Sequence, residues 1–104
     1  MITLTSKQRA YLKGLAMNIE PVVQIGKSSL TTEIIESVYE AFNTRELIKI
    51  NVQQNCEDDI RQIAQVIADR THAVVVQTIG RKIVLYKEGK DEKKKIELPR
   101  AKKA

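Results

Sequence analysis

The side chains best suited to holding a ligand fall together in Gly26-Lys27-Ser28-Ser29, between the apolar run Val22–Ile25 and a helical pattern that starts near Thr31. Gly26 lets the backbone approach a ligand closely. Lys27 supplies a mobile positive charge, and Ser28 and Ser29 supply hydroxyls. A helix starting just after the loop would point its unpaired N–H groups and the positive end of its dipole toward the same place. This chemistry suits a phosphate. It does not suit a nucleoside triphosphate, because the Walker pattern needs a glycine five residues before the Gly-Lys-Ser, and Pro21 holds that position. Taken alone, the loop also reads as an ordinary strand-to-helix turn with a hydroxyl N-cap.

Other reactive groups do not assemble into a catalytic or metal-binding set. Cys56 is the only thiol and His72 the only imidazole. They sit at opposite ends of a helical pattern, roughly 20 Å apart for fifteen or so residues, so a nucleophile–base pair is not expected. Cys56 reads as packing at a strand-to-helix loop and His72 as capping the end of the helix. Glu57, Asp58 and Asp59 point in different directions on a helix and read as an acidic N-terminal cap rather than a hard-metal site. The expectation is a protein without catalytic residues, metal or cofactor. With one Phe, three Tyr and no Trp, a base-stacking platform is not expected. Tyr11, Tyr39 and Phe42 fall near helical core stripes, and Tyr86 is open to either reading.

The whole chain sets the bounds. Its 104 residues, 42% of them hydrophobic, suffice for one domain with a core. No apolar run approaches the roughly 20 residues of a membrane span. The N-terminus lacks the apolar core of a signal peptide, and the lone cysteine excludes an internal disulfide; the cytoplasm is the expected location. The net charge of +5 is unevenly spread. Up to Thr31, Lys7, Arg9, Lys13 and Lys27 face the single acid Glu20. From Thr32 to His72 there are eight acids and four cations. Arg81 and Lys82 follow, and from Lys87 onward eight cations outnumber four acids. If the basic ends share a face, that face seeks a polyanion, RNA foremost. Affinity would rest on phosphate contacts and be steeply salt-dependent. The bland alternative is a solvated surface with a solubilising tail.

Thr5 and Gln8 have capping-box spacing, and a first helix runs from there to about Ala16. It carries Lys7, Arg9 and Lys13 on its polar side, and Pro21 closes the segment that follows. Val22–Ile25 reads as a strand buried on both faces. A second helix, about Thr31 to Asn43, has the stripe Ile34, Val38, Ala41 and Phe42. In the second strand, Arg45–Val52, the residues Ile48, Ile50 and Val52 alternate with Lys49 and Asn51. A third helix has the stripe Ile60, Ile63, Ala64 and Ile67 and ends near Arg70. Ala73–Ile79, the turn Gly80-Arg81 and Lys82–Tyr86 form a hairpin. The order α-β-α-β-α-β-β predicts an α/β fold with three helices on a four-stranded mixed sheet. Residues 1–98 form one domain, in which Ile96, Leu98 and Pro99 are candidates to dock a short extended piece. Residues 99–104 form a basic, mobile tail.

Four ordered segments carry a family resemblance. They are Leu4-Thr5-Ser6-Lys7-Gln8-Arg9-Ala10-Tyr11-Leu12-Lys13, Pro21-Val22-Val23-Gln24-Ile25-Gly26-Lys27, Arg45-Glu46-Leu47-Ile48-Lys49-Ile50 and Ile79-Gly80-Arg81-Lys82-Ile83-Val84-Leu85-Tyr86. The chain resembles the CRM domain, named for chloroplast RNA splicing and ribosome maturation, in its bacterial single-domain form. The resemblance implies a fold similar to the C-terminal domain of translation initiation factor 3, and RNA binding associated with precursors of the large ribosomal subunit. It also likens the loop to the Gly-x-x-Gly loop of KH domains, which clamps a nucleic-acid backbone. Here Ser29 stands in the fourth position. A positive φ there would strain a serine; the hydroxyl could instead cap the helix or bond a phosphate.

The candidate RNA-binding residues are Lys7, Arg9, Lys13, Gly26, Lys27, Ser28, Ser29, Arg81 and Lys82. The expected protein is a monomer that assists ribosome assembly. The rival reading is a protein-interaction module that uses the acidic second and third helices.

Overall fold

The first helix, α1 (Ser6–Ala16), starts where Thr5 and Gln8 close the expected capping box. The Gln8 N–H donates to Thr5 Oγ1 at 3.1 Å, and the Thr5 N–H donates to Gln8 Oε1 at 3.0 Å. The computed structural model describes residues 4–88. The expectations for Ile96, Leu98, Pro99 and the boundary at residues 98/99 lie outside the described residues. After α1 come β1 (Val23–Ile25), α2 (Thr32–Ala41), β2 (Leu47–Val52), α3 (Ile60–Thr71), β3 (Val74–Ile79) and β4 (Lys82–Tyr86). The order is the expected α-β-α-β-α-β-β.

The four strands form one mixed sheet in the order β1-β2-β4-β3. β1 runs parallel to β2, with Val23 opposite Ile50. β4 is antiparallel to both neighbours, Leu85 lying opposite Ile48 on β2 and Val75 on β3. β3 and β4 are joined by a tight hairpin whose Gly80 takes φ +57, a conformation glycine adopts without steric cost. The last strand therefore slots between the second and third and occupies the centre of the sheet.

Side-chain alternation splits the core in two. Ile48, Ile50 and Val52 of β2, Val23 and Ile25 of β1, and Ile83 and Leu85 of β4 pack with Val38 of α2 and with Ile63, Ala64, Ile67 and Ala68 of α3. Leu30, Ile34, Ala41, Phe42 and Ile60 pack at the margin of this layer. On the other face Leu47, Val76, Val84 and Tyr86 pack with Leu4, Leu12 and Ala16 of the α1 segment. The sheet is thus covered on one face by α2 and α3 and on the other by α1.

The expectation of a first strand buried on both faces is corrected. β1 is an edge strand with Val23 and Ile25 buried and Gln24 exposed. An apolar run of four is too short to tell an edge strand from a central one. Tyr11 and Tyr39 are also not core residues, at 41% and 51% exposed, whereas Tyr86 is fully buried. Cys56 is buried in the α2/α3 layer, at the strand-to-helix loop as expected. His72 caps α3 with φ 59, and the following Ala73 N–H donates to Ala68 O at 2.9 Å. That return bond satisfies a carbonyl at the helix end.

The Tyr86 hydroxyl is buried and has no hydrogen-bond partner among the described residues. Burial, with added repulsion from Glu46 and Glu88, pushes its pKa up to about 12 from 10.0. The unfolded chain then loses this proton near pH 10 while the folded chain keeps it until about pH 12. Stability is unaffected below pH 10 and falls as pH rises through that window, by about 2–3 kcal/mol at most. Tyr86→Phe removes an unpaired polar group and should be neutral or mildly stabilising at pH 7. Thermal melts at pH 8 and pH 11 are expected to show a smaller alkaline loss for the variant than for the parent.

Candidate nucleic-acid interface

The C-terminal ends of β1 and β2 and the β3–β4 turn bring three loops to one end of the sheet. The first is Gly26-Lys27-Ser28-Ser29. It is a four-residue turn closed by the Ser29 N–H donating to Gly26 O at 2.9 Å, with the exposed side chains of Lys27 and Ser28 at its tip. Ser29 leaves the turn with φ 56. The fourth position therefore does take the left-handed backbone that favours glycine. Ser29 does not cap the helix. Thr31 does, accepting from the Ile34 N–H at 3.1 Å. Between them Leu30 tucks against the core, so the Gly26–Ser29 turn and the first turn of α2 are separate units in the chain.

The second loop, which follows β2, supports the first. The Gln53 N–H donates to Ile25 O at 2.7 Å. A Cβ on Gly26 would meet Gln53 Oε1 at 3.1 Å, so the Gln53 side chain lies over the glycine. The third loop fastens the second. Arg81 donates from Nε to Val52 O at 2.9 Å, and from Nη2 to Gln53 O at 2.6 Å and Cys56 O at 2.9 Å. Its own carbonyl accepts from the Val52 N–H at 2.8 Å. Arg81 thus sits where the sequence places it, at the hairpin, but three of its five donors hold backbone carbonyls.

Arg9 is bound in a similar way. Its Nη1 donates to Val75 O at 2.5 Å and Val76 O at 2.7 Å. These carbonyls belong to the irregularity in β3, where Val75 pairs with Leu85 but Gln77 pairs with Val84, leaving Val76 out of register. A bulge leaves one residue out of the ladder, and the guanidinium satisfies the carbonyls there. The structure thus brings Gly26, Lys27, Ser28 and Ser29 to the same end as Arg81 and Lys82. Lys7, Arg9 and Lys13 lie on α1, across the sheet from α2. Lys7, Lys13 and Lys27 are exposed and have no hydrogen-bond or ion-pair partner among the described residues.

Strand alternation adds residues that the sequence reading left out. Because Ile48, Ile50 and Val52 enter the α2/α3 core, Lys49 and Asn51 face the α1 side. Lys82 faces the same side, since Ile83 and Leu85 enter that core while Val84 and Tyr86 pack with α1. Gln24 is opposite Asn51 in register, and Asn51 is opposite Lys82. The Lys82 Nζ donates to Asn51 Oδ1 at 2.6 Å, and Asn51 Nδ2 donates to Gln24 Oε1 at 2.8 Å. The alternation in the second strand already put Lys49 and Asn51 on one face. What it lacked was the strand order that shows this face is open toward β1.

The charges now divide by side. The α1 side carries Lys7, Lys13, Lys49 and Lys82. Glu33, Glu36 and Glu40 belong to α2, and Glu57, Asp58, Asp59 and Asp69 belong to α3 or the segment leading into it; Arg61 and Arg70 of α3, and Lys87 over the Tyr39 ring of α2 at 4.8 Å, offset part of this charge and leave that side acidic on balance. Among the described residues no group of three or more His, Cys, Asp or Glu side chains is placed to hold a metal ion, and no helix is long and apolar enough to cross a membrane.

Two measurements check this geometry. Ser29→Gly relieves the left-handed strain and should raise the urea midpoint, for a gain of up to about 1 kcal/mol. Ser29→Ala keeps the Cβ and should give no gain. Arg81→Lys cannot reach three carbonyls with one ammonium group and should cost about 1–3 kcal/mol in the same assay.

The CRS1/YhbY (CRM) domain family model matches residues 4–87. The chain is 45% identical over 96 residues to "Probable RNA-binding protein YqeI" of Bacillus subtilis, covering 92% of this chain and 99% of the relative. It is 41% identical over 100 residues to an "RNA-binding protein" of Haemophilus influenzae, covering 96% and 99%. The solution structure of a Staphylococcus aureus protein superposes with a TM-score of 0.79 at 43% identity, covering 93% of this chain and all of that one. With its helices, sheet and loop in this arrangement, the chain belongs to the CRM domain family.

Proposed function

We propose that this protein binds RNA and assists assembly of the large ribosomal subunit in the cytoplasm, as a monomer and without catalysing a reaction. The carrying observation is the uneven charge across one sheet, with lysines on the α1 side and an excess of acids over Arg61, Arg70 and Lys87 on the α2/α3 side. Such a dipolar surface orients a polyanion toward one face and repels it from the other. The relatives named for RNA binding support this reading. In it, the exposed Lys27 and the backbone around Gly26 hold a phosphate, with Ser28 and Ser29 offering hydroxyl donors. Lys7, Lys13 and Lys82 steer and seat the strand. Arg9 and Arg81 contribute mainly by fixing β3 and the loops, with their remaining N–H groups open to RNA.

The second reading keeps the acidic helices as a protein-docking face. Tyr39 and Val66, exposed on α2 and α3, favour it. The charge division favours RNA, because a docking role for α2 and α3 leaves the opposite basic face unexplained.

Lys13 and Lys27 can be removed without loss of a hydrogen bond among the described residues. The double variant Lys13→Ala/Lys27→Ala should bind RNA more weakly and flatten the slope of log affinity against log salt by about two units. Unchanged affinity and slope would overturn this placement of the site. Co-sedimentation with large-subunit precursors that nuclease abolishes is the expected outcome in cells; nuclease-resistant association would favour the acidic face.

A further inference from the structure

Lys82, Asn51 and Gln24 form a hydrogen-bonded row across three adjacent strands, and its polarity is dictated by one charge. An ammonium group only donates, so Lys82 requires Asn51 to turn its Oδ1 toward it. Asn51 Nδ2 then faces β1, and Gln24 must present Oε1 to receive it. Both amides have their acceptor oxygens engaged within the row. What remains for solvent is dominated by donors, two N–H groups on Gln24 Nε2, one on Asn51 Nδ2 and two on Lys82, against one further lone pair on each amide oxygen. Lys49, two residues before Asn51 on the same face, adds a further cation. Across three strands the row spans roughly 10 Å. It starts at Gln24, two residues before Gly26, so it continues directly from the loop.

We propose that this row is a second anchoring site for the RNA backbone, taking phosphate oxygens of the same strand whose neighbouring phosphate rests on the Gly26–Ser29 loop. The inference rests on the RNA-binding reading above. Neutral amides with their oxygens turned inward act as directional donors beside two lysines, and donors of this kind match the acceptor-only oxygens of a phosphate. The row is a structural extension of the loop, so a bound strand would run from β1 across β2 to β4.

The test is a fluorescence-anisotropy titration of a mixed-sequence single-stranded RNA oligonucleotide over a range of salt. Asn51→Asp still accepts from Lys82, but it compels Gln24 to turn Nε2 inward and expose its oxygen. It thereby cuts the exposed donors of the row from five to three and adds acceptor oxygens and a negative charge. Affinity should fall about tenfold or more, and Asn51→Leu, which breaks the row without adding charge, should lose a smaller but clear part of it. Gln62→Glu places the same added charge on exposed α3 and should have little effect. Far-UV circular dichroism and thermal melts confirm that each variant is folded. Equal losses for Asn51→Asp and Gln62→Glu, or wild-type affinity for Asn51→Asp and Asn51→Leu while Lys27→Ala binds weakly, would overturn the row as a site and leave the RNA reading standing. Absence of RNA binding by the parent protein at low salt would instead overturn the RNA reading itself.

Discussion

Much of the candidate site depends on one guanidinium. Arg81 sits in a two-residue hairpin turn and reaches Val52 O, Gln53 O and Cys56 O. A loop that follows a strand has carbonyls with no ladder partner, and leaving them unpaired near the core is costly. Arg81 supplies a charged, planar set of donors that meets three of them at once. The loop it holds contains Gln53, which bonds Ile25 O through its N–H and lies over Gly26. The conformation of the Gly26–Ser29 turn is therefore tied, through Gln53, to a residue more than fifty positions away in the chain.

The second organising constraint is the central position of β4. Inserted between β2 and β3, it has apolar residues on both faces: Ile83 and Leu85 toward α2 and α3, Val84 and Tyr86 toward α1. Helices are needed on both sides to bury them. α1 packs over β2, β3 and β4, leaving the β1 side of its face open, where Gln24, Asn51 and Lys82 meet. The division of charge follows from the same layering, because helices on opposite faces of one sheet cannot share a surface. Arg9, bonded to the β3 irregularity, fixes where α1 sits.

The loop itself holds stored strain. Ser29 adopts φ 56, where a Cβ crowds the following carbonyl. The turn nonetheless keeps a serine, and the cost is local because Leu30 and the Thr31 cap immediately restore packing and hydrogen bonding. His72 takes the same backbone conformation at the end of α3, where a return bond to Ala68 compensates it. Both are short segments where the chain must reverse between a helix and a strand.

The sequence by itself determined the elements and their order. Thr5 and Gln8 mark the start of α1, stripes at helical spacing mark α2 and α3, and Gly80 marks the hairpin. These signals are local, acting over one turn of helix or one pair of strand residues, so they survive without knowledge of neighbours. The grouping of cations outside the acidic middle of the chain was legible for the same reason. Tertiary structure alone decided that β4 enters the centre of the sheet, that β1 is an edge with Gln24 exposed, and that Tyr11 and Tyr39 stay at the surface. It also decided that Arg9 and Arg81 hold backbone carbonyls, and that Gln24, Asn51 and Lys82 form one row. Each of these rests on contacts between residues far apart in the chain. The periodicity of a segment says which side chains share a face, but only packing says what, if anything, covers it.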